Sequence, residues 1–324
     1  MDLPRVKLVA TGGTIAMTGS PAHPAVGAEE LLAAVPDIAA LAALEVEDLS
    51  NVPGANLTPA AAARAIAAAA SGVADGAVGA VITQGTDTIE ETAELADLVW
   101  SHEAPLVITG AIRPGGAVSA DGPLNLLDSI RVAVSRSVRG AGAVVAFDGI
   151  IHPAGEAVKS HSWRSDAFRS QSPLGFVREG ELQLVRPAQR RHGPIASPDE
   201  AAGLRLDSYV PILAAAAGMD ARPLDAMREA GAAAIVVIAL GAGHVPEAML
   251  PGVDRALEAR VPLIICARPD QGGTLENTYG FAGSETDLAQ RGAILAGAAS
   301  AWKARIRVLL ALGLGRSPAE LFPR

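Results

Sequence analysis

The sequence predicts an α/β protein of two domains, each built on a mainly parallel sheet. Three observations lead there. Short runs rich in Val and Ile recur along the 324 residues, and they are apolar throughout rather than alternating, as strands buried on both faces require. Helical patterns lie between them, which is the alternation of right-handed crossovers. The rhythm breaks once, at "RPAQRRHGPIASPDEAAG", which is polar, rich in Pro and Arg, and without apolar period.

In chain order the predicted strands are Val6–Ala10, Ala80–Thr83, Leu106–Gly110, Ala143–Phe147, Ala234–Leu240 and Pro262–Ala267. The predicted helices are Glu29–Ala34, Pro59–Ser71, Ile89–Ser101, Pro123–Ser135, Pro223–Glu229 and Glu247–Ala259. "GFVREGELQLVRP" reads as a hairpin turning at Glu179-Gly180. A larger N-terminal domain, mostly parallel and flanked by helices, then covers residues 1–190. Residues 191–209 form a linker, and 210–324 form a smaller Rossmann-like parallel domain.

Composition narrows the function classes. Half the residues are apolar but only 3% are aromatic, so the core must be built from Ala, Val, Leu and Ile. The net charge is −9 with no basic block, which argues against a nucleic-acid or polybasic membrane surface. No apolar run is long enough to span a bilayer. The single cysteine, Cys266, sits in "VPLIICA" and reads as a small core residue; alone, it forms no intrachain disulfide. The six histidines show no metal-ligand spacing, so no metal is expected. The N-terminus lacks a charged region followed by an apolar one, so a cytoplasmic location is expected.

Two strand ends share an odd composition: Thr11-Gly12-Gly13-Thr14, and Gln84-Gly85-Thr86-Asp87. Ligands of open α/β sheets bind beyond such carboxyl ends. The second loop precedes a T-x-x-E pair, Thr88 and Glu91, expected to form a capping box that starts a helix at Ile89. Free backbone N–H groups there favour developing negative charge. Neither loop fits a phosphate-binding pattern, and "GAGHVP" at 241–246 carries only a G-x-G. Another reading is a threonine nucleophile, which needs a neighbour to take its proton. Lysine occurs only at Lys7, Lys159 and Lys303 in a chain that otherwise uses Arg. Lys159, in "GEAVKSHSWRSDAF", could be that neighbour or an ordinary surface lysine. Gly13 and the Gly85-Thr86 turn could supply oxyanion donors. A plain turn remains open for both loops.

At these residues the chain resembles the bacterial-type L-asparaginases, the asparaginase–glutaminase family. "ATGGTIA" at 10–16 and "ITQGTDTIEETA" at 82–93 look like its two signatures. "GAIRPGGAVSADGPLNLLDSI", "AVKSHSWRSDAF" with "SPLGFVREGEL", and more weakly "YGFAGSETDL…KARIRVLLALG" extend the likeness over almost the whole chain. The resemblance implies two α/β domains and a homotetramer, a dimer of dimers with sites between subunits. It implies hydrolysis of L-asparagine to L-aspartate and ammonia without a cofactor, with possible side activity on L-glutamine or D-asparagine.

Residue by residue, Thr14 matches the nucleophile, which becomes acylated in a double displacement. Thr86, Asp87 and Lys159 match a hydrogen-bonded set that handles the proton. The resemblance implies that Gly13 and Thr86 N–H groups hold the oxyanion, beside Gly85. It puts Ser50, with Asn51 beside it, at the substrate carboxylate, Asp87 at the α-ammonium, and the Ala111 carbonyl at the leaving amide. Asp121 reads as a turn or cap residue, Ser119 as a structural hydrogen-bonder, His161 as pocket wall or surface, and Arg113 as pinning a loop by an ion pair. Relatives carry a tyrosine in the loop after the first signature; here "MTGSPAHPAV" has none, and His23 is the available substitute. Where many relatives carry an amide that reaches the neighbouring subunit's site near the α-ammonium, this chain has His244. Glu276 is the candidate for the acid preceding "YG". Two other readings are an asparaginase-like subunit of the archaeal tRNA-dependent amidotransferase, against which the acidic charge and missing extra N-terminal domain argue, and a non-catalytic amino-acid-binding relative.

Overall fold

The computed structural model describes residues 2–18, 23–24, 35–190 and 192–322. The predicted helix Glu29–Ala34 lies outside them, as does most of the loop that lacks the tyrosine. The chain forms two compact units, Met1–Gly203 and Leu204–Arg324.

The first unit is organised by the strand Arg5–Gly12 (β1), buried at every position after Arg5. Next in the chain come Ala43–Val52 (β2), Gly79–Thr83 (β3), Leu106–Thr109 (β4), Ala143–Phe147 (β5) and Ile150–Pro153 (β6). The sheet order begins β2-β1-β3-β4-β5, all parallel, and continues antiparallel through β6 to a hairpin. That hairpin joins Gly175–Arg178 and Glu181–Leu184. Glu179 and Gly180 have φ of 52° and 81°, the paired positive values of a two-residue turn that suits strand twist.

Helices cover both faces of the parallel strands. Pro59–Ala74 (α1) packs on β1 and β3, and Ile89–Val99 (α2) on β4 and β5. Gly122–Val134 (α3) packs on β3, β4 and β5. Its Leu126 and Ile130 join Leu8, Val81, Val107 and Val144 in one core. Each such fully buried side chain stabilises by about 1.5–3 kcal/mol. Continuous burial explains why these strands read as unbroken apolar runs.

β2 escaped the sequence reading because it is an edge strand, half-exposed along its length and charged. Glu45 and Glu47 meet the buried Lys7 of β1 at 2.9 and 2.8 Å. Burial alone would lower the Lys7 ammonium. The hydrogen bonds to Glu47 and Glu45 outweigh it and hold that group above its ordinary value. Lys7 is therefore a structural residue. Residues 191–209, read as a linker, contain the helix Pro198–Gly203, which packs on α1 and buries Ala201.

In the second unit the strands Ile212–Ala214, Ile235–Ala239, Leu263–Ala267 and Ile294–Leu295 are all parallel and lie in sequential order. Leu224 of helix Arg222–Glu229 and Val253 of helix Leu250–Glu258 pack with Ile235, Val237 and Ile265. Cys266 is fully buried, and burial pushes its thiol up to about 12. No helix is long and apolar enough to cross a membrane among the described residues.

Candidate active site

The order β2-β1-β3 makes the chain's progress across the sheet reverse beside β1. A doubly wound sheet opens a crevice at such a switch point. Here the carboxyl ends of β1, β2, β3 and β4 deliver Gly13-Thr14, Ser50 to Gly54, Gly85-Thr86-Asp87 and Gly110-Ala111.

Backbone contact draws these loops together. A Cβ on Gly13 would overlap the Gly85 backbone, and one on Gly85 would overlap Gly54. Gly13 also has φ of 87°, which side-chain-bearing residues rarely adopt. Thr14 and Thr86 are each one residue past a glycine of this touching pair, and each opens a 3-10 turn. Since consecutive Cα atoms are about 3.8 Å apart, the two threonines are held as near neighbours. Ile15 is buried against the start of α3, which anchors the turn that Thr14 opens. The Thr14 hydroxyl has no hydrogen-bond partner among the described residues.

Lys159 arrives from a distant part of the chain. It lies in a two-residue strand, Val158–Lys159, paired with Phe168–Arg169. Its backbone N–H donates to Glu90 Oε1 of α2 at 2.9 Å. Its Nζ donates to Thr86 Oγ1 and Asp87 Oδ1, both at 2.8 Å. Thr86 is buried, whereas the Asp87 side chain is 62% exposed. The ammonium is thus ion-paired on its open side and bonded to a hydroxyl on its closed side. Proton transfer between Lys159 and Thr86 is within reach at this separation. Glu90 was missed by the sequence reading. Its signal was its place in the first turn of the helix that follows Thr86 and Asp87.

Three expectations change. Gly13 N–H donates to Val52 O at 3.0 Å, so it is not a free oxyanion donor; it serves close approach instead. The Thr88 side chain does not cap α2, because its Oγ1 donates to Gly54 O at 3.0 Å and ties two loops. Arg113 Nη1 donates to the Ser119 carbonyl at 3.2 Å, and no ion pair of Arg113 is present among the described residues.

Thr11 is structural: it is buried and its hydroxyl donates to Thr83 O at 3.0 Å. Ser50 lies where the β1–β2 register shifts, and its hydroxyl donates to Thr11 O at 3.1 Å. That proton must turn away before it can serve a carboxylate. Asn51 is exposed, its backbone against Gly12. Ala111 is fully buried. Asp121 accepts from the N–H groups of Ile112 and Arg113 at 3.0 and 2.8 Å. Asn125 Nδ2 donates to Gly110 O at 3.0 Å, so these two residues fix the loop that carries Ala111. His161 Nδ1 accepts from Trp163 N at 3.0 Å in an exposed turn.

His244 belongs to the second unit, in the turn after Ile235–Ala239. Its Nε2 lies 3.1 Å from Glu285 Oε2. Glu285 is fully buried, and its Oε1 accepts from the N–H groups of Thr278 and Tyr279 at 2.9 and 2.8 Å. Burial alone would raise this carboxyl; the Tyr279 and Thr278 N–H groups and His244 hold it below the usual carboxylate value. Glu276 is exposed, and its carbonyl accepts from Thr286 Oγ1 at 3.4 Å. The acid that His244 meets is Glu285, which the sequence hides behind the helix-cap pattern of "GSETDL". No group of acidic, His or Cys side chains suited to a metal occurs among the described residues.

Known proteins resemble this chain over nearly its whole length. Residues 5–190 match the family "Asparaginase, N-terminal", and residues 209–322 match "Glutaminase/Asparaginase C-terminal domain". The chain is 33% identical to a probable L-asparaginase of Deinococcus radiodurans, over 99% of this chain and 96% of that protein. It is 30% identical to a probable periplasmic L-asparaginase of Haemophilus influenzae, over 98% and 91%. A solved structure of a probable cytoplasmic L-asparaginase from Campylobacter jejuni superimposes with a TM-score of 0.87 at 29% identity, covering 98% of this chain and 99% of that one. With both halves of the chain matched, and the paired threonine loops in place, this protein is a member of the asparaginase family.

Proposed function

We propose that the protein hydrolyses L-asparagine to L-aspartate and ammonia through an ester on Thr14. The observation that carries this is the bonding of Lys159 Nζ to Thr86 and Asp87, beside the glycine contact that brings Thr14 to Thr86. The Thr14 oxygen attacks the side-chain amide carbon. The hydroxyl proton is relayed through the Thr86 hydroxyl, which the Lys159 ammonium orients, to the leaving nitrogen. The C–N bond breaks, ammonia departs, and water then cleaves the aspartyl ester and returns the proton to Thr14. With Gly13 N–H engaged, oxyanion support falls to the Thr86 N–H and the positive end of α2. Asp87, exposed on its far side, would take the substrate's α-ammonium as a carboxylate should.

We also propose that Ser50 rotates from Thr11 to meet the substrate carboxylate, with Asn51 beside it, and that the Ala111 carbonyl orients the amide. His244 of a second copy would complete the site at the α-ammonium, in a homotetramer built as a dimer of dimers. Side activity on L-glutamine or D-asparagine and a cytoplasmic location belong to the same reading; the relatives' names divide between periplasmic and cytoplasmic. Ammonia release by the purified protein from L-asparagine, D-asparagine and L-glutamine tests it. L-Asparagine should be turned over without any added protein or cofactor. No release from any of the three would sink the hydrolase reading.

A further inference from the structure

We infer that Glu285 is a positioning residue that locks His244 with its proton on Nε2, so that Nδ1 is presented as a hydrogen-bond acceptor for a primary ammonium group. The inference deepens the proposed function and rests on its placing of His244 at the substrate's amino group.

The geometry is specific. A carboxylate accepts and does not donate, so the nitrogen 3.1 Å from Glu285 Oε2 must carry a hydrogen. Glu285 is held by two backbone N–H groups on its other oxygen, which fixes it and favours its charged form. The imidazole cannot easily flip, because Tyr279 and Phe281 meet it edge-on. Their ring centroids lie 4.9 and 5.1 Å away, with interplanar angles of 83° and 74°. Nδ1 has no hydrogen-bond partner among the described residues. Gly241 leaves room beside it, since a Cβ there would lie in van der Waals contact with that atom, 3.8 Å away. A neutral ring locked this way has one acceptor lone pair to offer, and an ammonium has hydrogens to give. An unlocked ring could turn an N–H toward the ammonium and repel it. Glu285 thereby lets histidine present an acceptor, as an amide oxygen would.

The test uses nitrogen NMR on the intact protein, then kinetics. At a pH above the ordinary imidazole range, His244 should show a protonated Nε2 and a bare Nδ1. In Glu285→Gln the new side chain still accepts from Thr278 and Tyr279 but donates toward Nε2, which moves the proton to Nδ1. KM for L-asparagine should then rise about tenfold or more with kcat nearly unchanged, the loss of one hydrogen bond to a charged group. Inhibition by succinamic acid, which is asparagine without its amino group, should not change. In a His244→Asn background, Glu285→Gln should have no further effect on KM. A wild-type ring protonated on Nδ1 overturns the inference, and that spectrum needs no variant to fold. Equal weakening of asparagine and succinamic acid, or an unchanged KM, also overturns it. A wild-type protein that hydrolyses no asparagine would instead refute the functional reading, with the spectrum still deciding the lock.

Discussion

The two parallel sheets of this protein are made of similar strands but are ordered differently. In the first unit the order β2-β1-β3 reverses beside β1; in the second the four strands follow one another in sequence. Strand chemistry scarcely distinguishes Val81-Ile82 from Val236-Val237, both fully or almost fully buried. Order does. A reversal leaves neighbouring loops diverging from a crevice, and sequential order provides no switch point within the sheet. The paired threonine loops sit at the reversal. The second sheet carries instead one histidine, held by a buried acid on a strand-end turn. Under the proposed function, one unit supplies the reacting centre and the other a fixed hydrogen-bonding group.

The largest expected effects lie at the reversal. Thr14→Ala should lower kcat by roughly 10⁴-fold or more while the fold is kept, as removal of a nucleophile does. Lys159→Met should lower it by about 10³-fold, because an apolar chain carries no proton. Steady-state ammonia release checks both. Substantial turnover in Thr14→Ala would move the chemistry elsewhere.

Glycine substitutions sharpen the same contrast. Gly85→Ala drives a methyl group into Gly54, so it should destabilise the protein by about 1–3 kcal/mol and abolish activity. Gly280→Ala in the second unit meets nothing within 4 Å and should stay within about 0.5 kcal/mol of wild type. Urea midpoints would show the difference; a mild Gly85→Ala would mean the loops are less tightly packed than described.

Buried titratable groups differ between the units too. In β6, burial lowers the His152 imidazole to about 4, with Glu156 opposing, while Nδ1 lies 2.9 Å from Ser170. The unfolded imidazole titrates near 6.5, so the stability this neutral ring contributes is present above that value. It is lost as pH falls through the window down to about 4. The loss should reach about 2 kcal/mol by about pH 5. His152→Gln, which keeps a group for Ser170, should flatten that part of the stability curve.

Much of this was legible in the residues, for identifiable reasons. β1, β3 and β5 carry continuous apolar runs, and the Glu179-Gly180 turn announces itself by composition. Thr86, Asp87 and Lys159 were legible as a set through their motifs, and the structure unites them by hydrogen bonds. β2 was not legible, because an edge strand needs no apolar run when Lys7 and Arg5 pair with its glutamates. The fate of Gly13 N–H was not legible either. It depends on Val52, a residue placed opposite only by the irregular β1–β2 register. The pairing of Glu285 with His244 was not legible, because nothing in "GSETDL" says which carboxylate turns inward. Local pattern reports local structure, whereas a partner brought in by the fold becomes visible only in three dimensions.

The central claim is that the reaction passes through an ester on Thr14 at the β1–β3 reversal. Rapid mixing with L-asparagine, acid quenching and mass analysis of the digested protein tests it most directly. The account predicts a β-aspartyl group on the peptide containing Thr14, forming before steady state and missing from Thr14→Ala. An adduct on any other residue, or wild-type turnover by Thr14→Ala, would contradict it.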